Sequence, residues 1–128
     1  MNNIPKLKKI LVIDDEGDLL KLAKTRLEAS GYNISTLDGG DRALEVTKRE
    51  KPDLILLDIV MPGKNGYDVC KELKGDPAVR DIPVIIFTAY YPEEEYVKTH
   101  MEEVGADDYI LKPFEAQTLL AKIKYLIG

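Results

Sequence analysis

The feature that most constrains this chain is an alternation. Five short runs rich in Ile, Val and Leu, at residues 10–13, 33–37, 54–57, 84–87 and 109–111, are separated by segments with helical periodicity. Most of the runs are apolar throughout, the pattern of parallel strands covered on both faces. The intervening segments carry apolar stripes at helical spacing: Leu19, Leu20, Ala23 and Leu27 in the first, and Val97, Met101 and Val104 in the fourth. Leu119, Leu120, Ile123, Leu126 and Ile127 predict a broad buried face on the last. Gly31 and Gly105 stand where helices should stop, and Pro52-Asp53, Gly75-Asp76-Pro77 and Ile82-Pro83 punctuate the remaining junctions. Strand and helix alternating five times predict an α/β fold, a doubly wound five-stranded parallel sheet with five helices.

The 128 residues suit one domain spanning 1–128, with no repeat, linker or attached effector domain expected. A chain of this size buries roughly two-thirds of its unfolded surface. The net charge of −5 argues against direct nucleic-acid binding, which needs a basic patch. Lys48, Arg49 and Lys51 are interrupted by Glu50 and read as a solvated helix end. No segment approaches the roughly 20 apolar residues of a membrane span. The apolar run after Lys6, Lys8 and Lys9 ends at Asp14, too early for a signal peptide. A cytoplasmic protein without membrane insertion is expected. The single cysteine, Cys70, excludes an internal disulfide and a cysteine-based metal cluster, and its helical spacing from Leu73 reads as core.

Ligands of parallel α/β sheets gather outside the carboxyl ends of the strands. There the first run is followed by Asp14-Asp15-Glu16, the third by Asp58, the fourth by Thr88-Ala89 and the fifth by Lys112-Pro113. Any one of these could be a cap or a solvated loop residue; four suitable groups at four strand ends point to one site. Three carboxylates brought together repel each other, which raises at least one pKa unless a cation compensates. Mg²⁺, a hard ion that takes carboxylate, water and phosphate oxygens, suits the cluster. With Lys112 it cancels the three negative charges, so the pocket could accept a phosphoryl group. Asp58, alone at the end of the central strand, is then the candidate nucleophile, with Lys112 and Thr88 to hold phosphoryl oxygens.

The segments Lys9-Ile-Leu-Val-Ile-Asp-Asp-Glu16, Leu56-Leu-Asp-Ile-Val-Met-Pro-Gly63, Phe87-Thr-Ala89 and Gly105-Ala-Asp-Asp-Tyr-Ile-Leu-Lys-Pro-Phe114 resemble those of bacterial two-component response-regulator receiver domains, of the stand-alone, chemotaxis-regulator-like type. The resemblance covers nearly the whole chain. It implies the flavodoxin-like receiver fold with strand order 2-1-3-4-5. It also implies a phosphoacceptor switch, itself no enzyme beyond assisting its own phosphorylation and dephosphorylation. Asp58 would take a phosphoryl group from a histidine kinase or histidine phosphotransfer protein. Asp15, Asp58 and the backbone carbonyl of Val60 would bind Mg²⁺ directly, and Asp14 largely through water. Thr88 and Lys112 would contact the phosphoryl oxygens, and the Lys112–Pro113 bond would be cis. Gly66 would let the loop after Asp58 turn into the third helix. Thr88 and Tyr109 would form the switch that alters the helix 4–strand 5–helix 5 face for a downstream protein target or a phosphorelay.

Some features depart from a plain receiver. The segment Ala89-Tyr-Tyr-Pro-Glu-Glu-Glu-Tyr96 is bulkier and about two residues longer than the usual connection to the fourth helix in the family it resembles. Val60 and Tyr90 would crowd the phosphoryl group and slow its hydrolysis. Pro92 and the glutamates 93–95 should start the fourth helix. His100, the only histidine, is expected on exposed surface. Three other functions compete with the switch. A haloacid-dehalogenase-type phosphatase would want an acid where Val60 stands. A flavin module would want a Ser/Thr/Gly loop where Asp14-Asp15-Glu16 stands. A degenerate receiver would not need the intact acids, Thr88 and Lys112.

Overall fold

The computed structural model describes residues 7–88, 94–112 and 114–128. Strands β1 (Lys9–Ile13), β2 (Asn33–Leu37), β3 (Leu54–Asp58), β4 (Val84–Thr88) and β5 (Asp108–Leu111) alternate with helices α1 (Gly17–Ala29), α2 (Ala43–Glu50), α3 (Gly66–Lys74), α4 (Glu94–Val104) and α5 (Ala116–Ile127). All strand pairs are parallel and the order is β2-β1-β3-β4-β5. This is the expected doubly wound sheet in the expected order. The direction of travel across the sheet reverses between β1 and β3, so the carboxyl ends of those strands flank the crevice.

The apolar runs divide by parity between two layers. Ile10, Val12, Leu54, Leu56, Ile85, Phe87 and Ile110 face α1 and α5, while Leu11, Ile13, Ile55, Leu57 and Val84 face α2 and α3. Strands β3 and β4 are buried at every residue, whereas the edge strands β2 and β5 are not. Strands β3 and β4 each reach one residue beyond the apolar run where hydrogen bonding continues, which takes in Asp58 and Thr88.

Helix ends follow the glycines. Gly31, at φ 95°, closes α1: Tyr32 N–H bonds to Leu27 O at 3.2 Å and Gly31 N–H to Glu28 O at 3.0 Å. Gly105, at φ 80°, closes α4 in the same way. In α4, Val97 is buried and Met101 and Val104 are half-buried, while α4 begins at Glu94; residues 89–93 lie outside the described residues. Cys70 is buried next to Leu73 as expected. Burial pushes its thiol up to about 11, which keeps it protonated and unreactive.

Two expectations need correction. The buried face of α5 is narrower than its sequence implies: Leu119 and Ile123 are buried, but Leu120, Leu126 and Ile127 are half-buried. At Leu120 the reason is a groove of about 860 Å³ between α1 and α5, lined by Leu22, Ala23, Phe114 and Leu120 among others. His100 is not simply exposed. Its ring is half-buried between Tyr96, with centroids 4.0 Å apart, and Tyr67 of α3, at 5.1 Å, and Nδ1 lies 2.9 Å from the Tyr96 carbonyl.

Candidate functional site

Side-chain alternation builds the site. Asp14 follows Val12, Asp58 follows Leu56 and Lys112 follows Ile110 at a spacing of two, so all three continue rows that face α1 and α5. The parallel register sets these rows side by side at the carboxyl edge. Asp14, Asp15 and Asp58 each offer a carboxylate oxygen within 4.8 Å of the other two. Lys112 Nζ lies 3.1 Å from Asp14 Oδ2 and 3.7 Å from Asp58 Oδ1.

The three acids are held differently. Asp14 is fully buried; its Oδ1 accepts the Glu16 N–H at 3.0 Å and its Oδ2 pairs with Lys112, so both oxygens are engaged. Asp58 is 4% exposed, and its Oδ1 accepts the Ile59 N–H at 2.9 Å. Asp15 is exposed. Burial, and after it repulsion by Asp14, raise the Asp58 pKa to about 6 despite the opposing pull of Lys112 and the Ile59 N–H. The cluster therefore carries more negative charge than one lysine can compensate. An all-oxygen donor set with surplus negative charge fits a hard divalent cation such as Mg²⁺.

Thr88 is buried at the end of β4, and its carbonyl accepts the Lys112 N–H at 2.8 Å, which ties the start of the loop after β5 to the site. Val60, 54% exposed, stands on the loop leaving β3. Tyr109 is half-buried on β5 with Lys122 Nζ 5.9 Å from its ring centroid. Ala89, Tyr90 and Pro113 lie outside the described residues, and with them the crowding assigned to Tyr90 and the cis bond at Lys112–Pro113.

Gly66 stands where the loop after Asp58 enters α3, and it serves there by its lack of a side chain. The positive φ that turns the loop belongs to Gly63, at 78°. At Gly66 the need is space: a Cβ there would sit 2.1 Å from the Asp58 carbonyl oxygen. The Gly66 N–H also donates to Ile59 O at 2.9 Å, so the first turn of α3 is pressed against the end of β3. Asn65 caps that turn by accepting the Asp68 N–H at 3.0 Å. One neighbour of the site has no signal in the apolar pattern: the ring of Phe87 lies under the Lys112 ammonium, 4.6 Å from Nζ. Its trace in the sequence is an aromatic residue in a strand otherwise built from Val, Ile and a final Thr.

Comparison with known proteins matches this geometry. The sequence profile of the response regulator receiver domain covers residues 10–124. PhoP of Bacillus subtilis, an alkaline phosphatase synthesis transcriptional regulatory protein, is 41% identical over 120 residues, which are 94% of this chain and 48% of PhoP; the chain thus spans about half the length of that relative. Among solved structures, a putative response regulator from Chloroflexus aurantiacus superimposes with a TM-score of 0.88 at 30% identity, covering 95% of this chain and 98% of its own. The beryllofluoride-activated N-terminal receiver domain of Klebsiella pneumoniae RstA does so at 0.84 and 34%, covering 94% and 98%. With its sheet order, its acidic edge and Lys112 in place, the chain belongs to the family of response regulator receiver domains.

Proposed function

We propose that the chain is a phosphoacceptor switch of a two-component system, with Asp58 as the residue modified. The observation that carries this is the cluster of Asp14, Asp15 and Asp58, with Lys112 against Asp14 and the buried Asp58. A carboxylate oxygen of Asp58 attacks phosphorus, the bond from phosphorus to the donor's imidazole nitrogen breaks, and the imidazole leaves with that electron pair. The donor is a histidine kinase or a histidine phosphotransfer protein, approaching at the start of α1 after Glu16.

Each residue of the site has a task in this reading. Asp15, Asp58 and the Val60 carbonyl would hold Mg²⁺, and Asp14, whose oxygens are already engaged by Glu16 and Lys112, would act on it through water. Once bound, the ion supplies positive charge that offsets the carboxylates and the arriving phosphoryl oxygens. Lys112 and Thr88 bind those oxygens. Thr88 and Tyr109 then bias the α4–β5–α5 face between two states, and a downstream protein reads it. Val60, exposed beside the site, hinders the water that would hydrolyse the acyl phosphate; Val60→Ala should shorten the phosphoryl lifetime.

The chain is a substrate of its kinase rather than an enzyme acting on other molecules, and it works as one receiver unit in the cytoplasm without touching nucleic acid directly. Among the described residues no helix is long and apolar enough to cross a membrane. A phosphatase of haloacid dehalogenase type is not favoured: Val60 cannot serve as its general acid, and the family is that of receivers. Incubation with acetyl phosphate and Mg²⁺ should label the protein, and beryllofluoride with Mg²⁺ should shift the amide resonances of Thr88 and Tyr109. Turnover of phosphate monoesters without a labelled intermediate at Asp58 would contradict the proposal.

A further inference from the structure

The floor of the acidic cluster is an aromatic ring. In the parallel register Asp58 stands beside Phe87, and Phe87 beside Ile110. Phe87 therefore shares the sheet face of Asp58 and lies below Lys112, two residues after Ile110. Phe87 is 3% exposed, and its ring meets the edge of Phe114 with centroids 6.4 Å apart and planes at 85°. That contact fixes the direction of the Phe87 face. The Lys112 ammonium stands over it, 4.6 Å from the centroid, while reaching to Asp14 and Asp58.

A lysine ammonium is a point charge on a flexible stem with three rotatable donors. Between two carboxylates alone it could settle against either. The negative face of an aromatic ring attracts the cation without accepting a hydrogen bond in a fixed direction. It can hold the ammonium in the middle while leaving N–H groups for an arriving oxygen. We propose that Phe87 is a positioning residue for phosphoryl transfer, its ring face holding the Lys112 ammonium where it meets the phosphoryl oxygens. An aliphatic side chain, such as Ile85 and Ile86 supply earlier in the strand, would fill the space but not hold the charge. The inference rests on the phosphoacceptor reading of Asp58 and adds to it the group that places Lys112.

Two variants separate the ring's electrostatics from its packing. Phe87→Leu keeps an apolar side chain but removes the ring. Pentafluorophenylalanine incorporated at position 87 keeps the ring shape and reverses its quadrupole. In the metal-free wild type, the Lys112 ε-methylene protons should be shifted upfield by the ring current, and that shift should vanish in Phe87→Leu. With acetyl phosphate and Mg²⁺, both variants should be phosphorylated roughly 3- to 30-fold more slowly than the wild type. The fluorinated protein should remain folded, its unfolding temperature lowered by no more than about 10 °C. A fluorinated protein phosphorylated at the wild-type rate would overturn the inference, even if Phe87→Leu failed to fold. So would the lack of an upfield shift in the wild type. Equal labelling of wild type and Asp58→Asn would instead overturn the underlying reading, and the positioning role with it.

Discussion

The two ends of the same sheet treat carboxylates in opposite ways. At the amino edge, acids just before the strands complete the sheet. Asp53 Oδ2 accepts the Lys9 N–H at 2.8 Å, and Asp107 Oδ2 accepts the Val84 N–H at 2.8 Å. Asp107 is further paired with Lys74 Nζ at 2.9 Å, and the same ammonium donates to the Ile82 carbonyl at 2.9 Å and the Arg80 carbonyl at 3.2 Å. At the carboxyl edge, three acids cluster, only Asp14 and Asp58 of them reach Lys112, and the pKa of Asp58 rises to about 6. Carboxylates that serve the fold stand apart from one another, each met by its own donors. Those that serve a phosphoryl group are left in surplus, and the surrounding packing must hold them together against their repulsion.

That packing is the first place to break the contrast. Gly66→Ala puts a methyl group against the Asp58 carbonyl, 2.1 Å away before relaxation, and neither backbone can give way easily. We expect a loss on the order of 3 kcal/mol or more in urea unfolding. A loss below about 1 kcal/mol would mean that the junction of β3 and α3 is looser than described.

At the amino edge, Lys74→Met strips the cation from Asp107 and from two carbonyls. Stability should fall by about 1–3 kcal/mol, while the phosphorylation rate at the distant carboxyl edge stays within roughly twofold. A large fall in that rate would dissolve the division between a structural and a functional edge.

Asp58→Asn should act in the opposite direction. A carboxyl group whose folded pKa lies above its unfolded value of 3.8 binds more protons in the folded state, so wild-type stability falls as pH rises from about 4 through about 6. The amide does not titrate. In metal-free buffer Asp58→Asn should therefore match the wild type near pH 4 and exceed it above pH 7 by about 1–2 kcal/mol, less than the full shift because water reaches the open side of the site. Added MgCl₂ should stabilise the wild type more than this variant. A variant less stable than the wild type at pH 7.5 without metal would show that the cluster is not in surplus.

The smallest effect belongs to the surface. Arg42 and Glu45 form an exposed pair at 3.4 Å, and Arg42→Ala should change stability by less than about 0.5 kcal/mol.

The sequence made much of this legible, and for physical reasons. Central strands must be apolar on both faces, so β1, β3 and β4 show themselves as uninterrupted runs, and the residues just past the end of each run must lie at one edge. Asp14, Asp58, Thr88 and Lys112 could be placed together on that ground alone. The strand order came from resemblance, because periodicity does not say which strands pair. Contacts across elements were less visible. Gly66 reads as a turn residue, but its reason is an oxygen on another element. His100 flanks the apolar stripe, three residues after Val97 and four before Val104, but only the tertiary structure supplies Tyr67 to cover it. Phe87 reads as one more core residue until the register sets it under Lys112. The half-burial of Leu120 likewise depends on the groove between α1 and α5.

The most direct test of the central claim is to locate the modification. The protein would be treated with acetyl phosphate and Mg²⁺, the acyl phosphate reduced with borohydride to the stable alcohol, and the peptides analysed by mass spectrometry. The account predicts one reduced carboxyl group per chain, at position 58, and none in Asp58→Asn. Reduction at Asp14, Asp15 or any other carboxylate of the wild type, with position 58 unchanged, would contradict it.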